Sequence, residues 1–185
     1  MERLPQGHGT TTRVLHWLVA VLILLMIPAG LIMVREGLPR NLQDTLFVFH
    51  KNVGSLLIVI VALRLAWRMT HRPPGLPATM PAWQRRAAAA SHVALYVLMV
   101  AMPLSGYVRV RAGGFPIEAL DAIGFPALIP ESKALAEAAS SFHAIAAFIL
   151  IGIIAIHVAA ALQHALIRRD GVFQRMWPPV ARERP

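Results

Sequence analysis

Three histidines, His143, His157 and His164, lie inside a run of thirty residues, 138–167, that carries no formal charge. About 20 apolar residues suffice to cross a bilayer as a helix. The polar atoms of this longer run must therefore find partners inside the protein. His143 and His157 are fourteen residues apart, which on an α-helix is about 21 Å of rise and close to a whole number of turns. Both imidazoles therefore point to one side, one near each membrane face, and His164 continues the stripe seven residues on. Neutral imidazole is a common metal ligand. A helix that offers it at two depths suits two stacked redox centres, one per leaflet, and the rest of the chain can be searched for the opposing ligands.

The composition restricts what those centres can be. With 185 residues, 57% of them hydrophobic, and a mean hydropathy of +0.59, residues 1–185 read as a single integral membrane domain. Cysteine is absent, which excludes iron–sulfur clusters, covalently attached c-type haem and disulfides within this chain. Any iron must be held by nitrogen. The start, MERLPQGHGTTTR, lacks the apolar core and cleavage site of a secretory signal, so the first long apolar run is expected to stay as a span. A net charge of +9 could suggest nucleic acid, but no basic tract interleaves with aromatics. The arginines flank apolar runs, as topology-setting charges do, and no nucleic-acid partner is expected.

Four spans are expected, at about 13–34, 46–69, 87–108 and 140–167, giving an all-α transmembrane four-helix bundle. The first carries His16 beside Trp17, an expected interfacial anchor, with Pro28 and Gly30 placed to bend its far half. The second carries His50 near its start and Arg64 near its end. Gly54 and Ser55, one turn beyond His50, would admit a flat macrocycle or a neighbouring backbone. The third holds His92 about two turns in, with a kink expected at Pro103 and Gly106. The proline-rich stretch 70–83 is a linker, and the end of the longest connection, from Pro130, is expected to form a short amphipathic helix at the interface. Twelve of the eighteen Lys and Arg residues fall on the side of the termini, which places both termini in the cytoplasm.

With this orientation the histidines sort by depth. His8 and His71 lie in aqueous segments and receive no role. His50 and His143 lie toward the outer side; His16, His92, His157 and His164 toward the inner. Six polar rings in four apolar helices need a purpose, because a polar group in lipid is costly. Zinc sites usually want four ligands that include thiolates or carboxylates, and the outer leaflet offers two histidines with no carboxylate. Two axial imidazoles with a porphyrin filling the other four positions fit that donor set, so haem b is inferred. The outer ligands are His50 and His143. At the inner end His157 is one ligand, and the other is His92, about 9 Å inward of Arg86, or His16, about 5 Å inward of Arg13, depth by itself slightly favouring His92.

Leu15-His16-Trp17, Phe49-His50-Lys51, Leu63-Arg64-Leu65 with Trp67-Arg68, Trp83-Gln84-Arg85-Arg86 leading to His92, Pro103-Leu104-Ser105-Gly106, Phe142-His143 and the run from His157 through His164 to Arg169-Asp170-Gly171 and Arg175-Met176 follow in order along nearly the whole chain. Together these segments resemble the bacterial cytochrome b561 family. The resemblance implies two haem b groups, with His16 and His157 ligating the inner one and His50 and His143 the outer. It also implies an inner (cytoplasmic) membrane location, and leaves His92 and His164, with Arg64 nearby, beside a quinone, ubiquinone being the expected co-substrate.

The expected function is a superoxide oxidase-like, quinone-linked oxidoreductase. It would pass single electrons between a periplasmic donor, with superoxide as a donor implied by the resemblance, and membrane quinone. His92 and His164 could hydrogen-bond a quinone carbonyl or pass protons, and Arg64 could pair with a haem propionate or with the reduced quinone. At the outer end Lys51, Arg109 and Arg111 could attract a small anion, unless neighbouring acids balance them. Two alternatives remain: a haem b relay subunit for a partner dehydrogenase, and a non-haem transporter or channel whose histidines line a path.

Overall fold

The computed structural model describes residues 7–71, 74, 75 and 80–178. It contains helices and no strand among these residues. Four long helices are apolar enough to cross a membrane: α1 (Thr10–Met33), α2 (Arg40–Thr70), α3 (Ala82–Ala112) and α5 (Lys133–Leu162), with the short α4 (Glu118–Ala122) between the last two. A π-helical turn, Gln163–Arg168, extends α5 and closes on Arg169 in the left-handed region, φ 52°.

The helices outrun the apolar windows that signalled them. Hydropathy marks where a chain must cross lipid, whereas a helix continues until its hydrogen bonding is interrupted. Pro39 and Pro81 precede α2 and α3, where a missing N–H costs nothing, and their carbonyls accept from Gln43 and Arg85 at 3.0 and 3.2 Å. The interfacial helix expected from Pro130 does not form separately. Ser132 caps α5 by accepting from the Leu135 N–H at 3.4 Å, so residues from Lys133 onward are its first turns. Helix α3 continues through Pro103, and α1 through Pro28.

Helix α1 packs on α2 and α3 on α5, and α2 against α3 joins the two pairs. Val19, Met26, Leu57, Val61 and Met99 form the buried core of the α1–α2–α3 seam. Gly54 belongs to this seam, since a Cβ there would sit 3.5 Å from Met26 Cε. Large apolar side chains such as Leu24, Val59, Val97 and Phe148 remain exposed. They suit a lipid-facing surface, where van der Waals packing rather than water exclusion holds helices together.

The bundle has two unlike ends. At the terminal end the His8 N–H donates to the Arg175 carbonyl at 3.1 Å, Trp17 Nε1 to the Met176 carbonyl at 2.8 Å and Arg175 Nη1 to the Gly75 carbonyl at 2.7 Å. These bonds hold the N-terminal, linker and C-terminal segments together. Trp17 is thus a clasp for the C-terminal segment as well as a residue at the helix end. At the loop end α3 closes at Gly114, whose φ of 74° suits a residue without a Cβ. The chain then turns back over the bundle through α4.

Candidate functional site

At the loop end α2 and α5 bring the His50 and His143 rings opposite each other, with centroids 6.2 Å apart and planes inclined at 75°. At the terminal end α1 and α5 do the same for His16 and His157, at 6.3 Å. With a metal–nitrogen bond of about 2 Å and each nitrogen about 1 Å from its ring centre, two imidazoles on opposite sides of one metal have centroids about 6 Å apart. Among the described residues no group of three or more His, Cys, Asp or Glu side chains could hold a metal by itself. A metal between these rings would need its other positions filled by a non-protein ligand, as a porphyrin fills them.

At the loop end His143 has the protonation pattern that a ligand requires. Ser105 Oγ donates its single hydrogen to the Met102 carbonyl at 2.8 Å. Its 2.9 Å contact with His143 Nδ1 must therefore be donated by the histidine. With the proton on Nδ1, the Nε2 lone pair of His143 is left for a metal. His50 Nδ1 is buried with no hydrogen-bond partner. Two glycines make room for these rings. A Cβ on Gly30 would lie 2.8 Å from His50 Cε1, and one on Gly106 would lie 3.2 Å from His143 Cε1. Both glycines had suggested bends, and their place against the rings could not be read without helix rotation.

The terminal end is more crowded. His92, on α3, lies 5.6 Å from His157, on the same ring that faces His16. Arg64 Nη2 lies 3.1 Å from His16 Nδ1, and the guanidinium carbon is 5.9 Å from the Tyr96 ring centre. Arg64 Nε and Nη1 are buried without partners. An arginine stretching to the interface would not look like this. His164 stands apart in the π-helical turn, with Nδ1 2.7 Å from Asp170 Oδ2. Asp170 also accepts from the Val172 N–H at 3.2 Å through Oδ1. This dyad was not anticipated; only the six-residue separation at the helix end hinted at it.

Two of the three cations over the loop end, Lys51 and Arg111, are compensated. Lys51 Nζ donates to Glu118 Oε1 at 2.7 Å and to the Pro116 carbonyl at 2.8 Å. Asn52 donates to Glu118 Oε2 at 2.8 Å and accepts from the Ala119 N–H at 2.7 Å. Arg111 pairs with Asp121 at 2.5 Å. These bonds pin α4 to α2 and α3. Partial desolvation pushes the Glu118 carboxyl up, but bonds from Lys51, its own backbone and Asn52 together hold it below the usual glutamate range. The Arg111 hydrogen bond likewise lowers Asp121. Of the three cations expected to attract an anion, Lys51 and Arg111 are thus spent on α4.

Residues 7–179 match the family profile described as prokaryotic cytochrome b561. The chain belongs to that family. Prokaryotic cytochromes b561 are membrane haem b electron-transfer proteins, in agreement with four spans and with facing imidazoles that fit such a group. The chain is 33% identical over 173 residues to cytochrome b561 homolog 2 of Escherichia coli K12, covering 93% of this chain and 92% of the relative. It is 30% identical over 171 residues to cytochrome b561 homolog 1 of the same organism, covering 89% and 93%. It is also similar to a protein of Yersinia pestis named probable superoxide oxidase CybB, at 27% identity over 169 residues, covering 89% and 92%. As a cytochrome b561 the chain is an oxidoreductase of the multi-pass membrane class.

Proposed function

We propose that the protein holds two haem b groups, one at each end of the bundle, and passes single electrons between a donor at the loop end and membrane quinone at the terminal end. The observation that carries this reading is the pair of facing imidazoles at each end, both spaced for a metal between them. His50 and His143 are the loop-end ligands and His16 and His157 the terminal-end ligands. Arginine-rich flanks support a cytoplasmic terminal end, and membership of the family supports a location in the bacterial inner membrane.

Bound haem b supplies reversible one-electron chemistry. The protein's own groups do the rest. Ser105 fixes the proton of His143 on Nδ1 and aims Nε2 inward. Gly30 and Gly106 let the rings stand close to the helix backbones. At the terminal end His92 hydrogen-bonds a quinone carbonyl, and His164, steadied by Asp170, delivers a proton to the reduced oxygen. Arg64 stays charged beside His16. Ubiquinone is the proposed co-substrate. Superoxide is the proposed donor, supported by the printed name of the Yersinia pestis relative.

A reduced-minus-oxidised visible spectrum with haem quantified per chain tests the reading. Two haems per chain are expected, and a chain purified without haem absorbance would favour a transporter. Rapid reduction of ubiquinone by superoxide with the isolated chain is expected as well. If reduction requires a partner dehydrogenase, the chain is a relay subunit instead.

A further inference from the structure

Metal-bound histidines usually donate their second ring N–H to an acceptor, which makes the ligand more basic. The loop end follows this pattern, with His143 Nδ1 donating to Ser105. The terminal end offers His16 no such acceptor. The Arg64 guanidinium, with Nη2 3.1 Å from His16 Nδ1, cannot accept a proton from that ring, so the ring's neighbour is a permanent positive charge. No carboxylate cancels it among the described residues, for Asp170 is taken by His164. The buried Arg13 and Arg175 nearby bond to backbone carbonyls. At the loop end Lys51 and Arg111 are neutralised by Glu118 and Asp121. Arg109 is near enough for its charge to act on both loop-end rings, but it makes no hydrogen bond to either among the described residues.

We infer that Arg64 holds the reduction potential of the terminal-end haem above that of the loop-end haem, so that electrons run from the loop end to the terminal end. The inference rests on the two-haem reading above. Ferric haem carries one more positive charge than ferrous haem, so a fixed cation beside the ligand disfavours the ferric state. With both haems bound, the transfer would be of one electron, the loop-end group giving it up and the terminal-end group taking it, with no proton moved between them. Arg64 is therefore a tuning residue that acts through His16.

The test is a potentiometric titration of the purified, haem-loaded full chain, followed at the haem absorbance. Two one-electron waves are expected. Arg64→Gln lowers the upper midpoint by a tenfold change in the ferrous-to-ferric ratio or more, which is 59 mV for one electron, and leaves the lower one in place. Arg64→Lys, which keeps the charge, moves the upper midpoint less than half as far. Ser105→Ala, which removes the acceptor from His143, raises the lower midpoint alone and tests the same ordering should Arg64→Gln not accumulate. Two haems whose upper midpoint ignores Arg64→Gln, or a Ser105→Ala chain that shifts the upper wave, overturn this inference and leave the two-haem reading standing. Fewer than two haems per chain overturns both.

Discussion

The two ends of the bundle present the same pair of facing imidazoles, at 6.2 and 6.3 Å, in opposite surroundings. The loop end pairs Lys51 and Arg111 with acids on α4, and a serine hydroxyl sets one histidine's proton. The terminal end gathers a third histidine, an uncompensated arginine and a separate histidine–aspartate dyad. One end is equipped to move an electron alone; the other has groups that can also move protons. This is the division expected where a one-electron donor meets a quinone, whose reduction consumes two electrons and two protons.

The comparison breaks most sharply through the ligands. His143→Ala is expected to halve the haem content and keep the terminal-end haem, whereas His157→Ala should halve it and keep the loop-end haem; haem quantified per chain reads both. The same assay separates His16 from His92. His16→Ala should lose one haem and His92→Ala none, and the opposite result would make His92 the ligand.

The next effect is steric. Gly30→Val places side-chain atoms where a bare Cβ already comes within 2.8 Å of His50 Cε1. Overpacking of this kind costs about 1–3 kcal/mol. A lower thermal midpoint and loss of the loop-end haem alone are expected, by thermal melt and visible spectrum. Equal loss at both ends would deny that Gly30 serves His50.

Asp170→Asn sharpens the contrast from the terminal end. It removes the charge beside His164 while preserving shape, so quinone reduction should slow by about tenfold, the lower bound for losing a partner that orients a functional histidine. Haem content should not change. A merely structural Asp170 would lower stability without slowing quinone reduction.

The smallest effect concerns the loop-end clasp. The folded Glu118 carboxyl titrates below its ordinary value near 4.5. Its contribution is therefore fully present above that value and is lost as pH falls through the lowered folded one. The hydrogen-exchange protection of residues 116–122, relative to the intrinsic rate at each pH, should fall over that acid range and stay flat from pH 5 to 8. The terminal-end clasp differs. Burial, then the charges of Arg175 and Arg13, hold His8 below its ordinary value near 6.5. Protonation there favours the open state, so the contacts of residues 8–13 should loosen as pH falls below about 6.5. If both ends loosened together, the ends would not be independent.

Much of this molecule is legible along one dimension. The four apolar runs required four helices, and the spacing from His143 to His157 put two imidazoles on one face of α5 at two depths, because period and rise are properties of a single helix. The absence of cysteine and the ordered motifs from Leu15-His16-Trp17 to Arg169-Asp170-Gly171 pointed to the family. Helix ends were less legible, since α2 and α3 begin just after Pro39 and Pro81 and α3 ends at Gly113, not where hydropathy changes.

The tertiary structure decided what rotation and packing decide. Which ring faces which depends on how each helix turns about its own axis, and no residue count on one helix reports the rotation of another. Only packing could set Ser105 against His143, Gly30 against His50, Arg64 against His16 and Asp170 against His164, or spend Lys51 and Arg111 on α4. The sequence alone determined that histidines would stand at two depths in a four-helix membrane protein. Three-dimensional packing decided their neighbours, and hence the different electrostatics of the two ends, because the field at a ring depends on distances across helices that the order of residues does not contain.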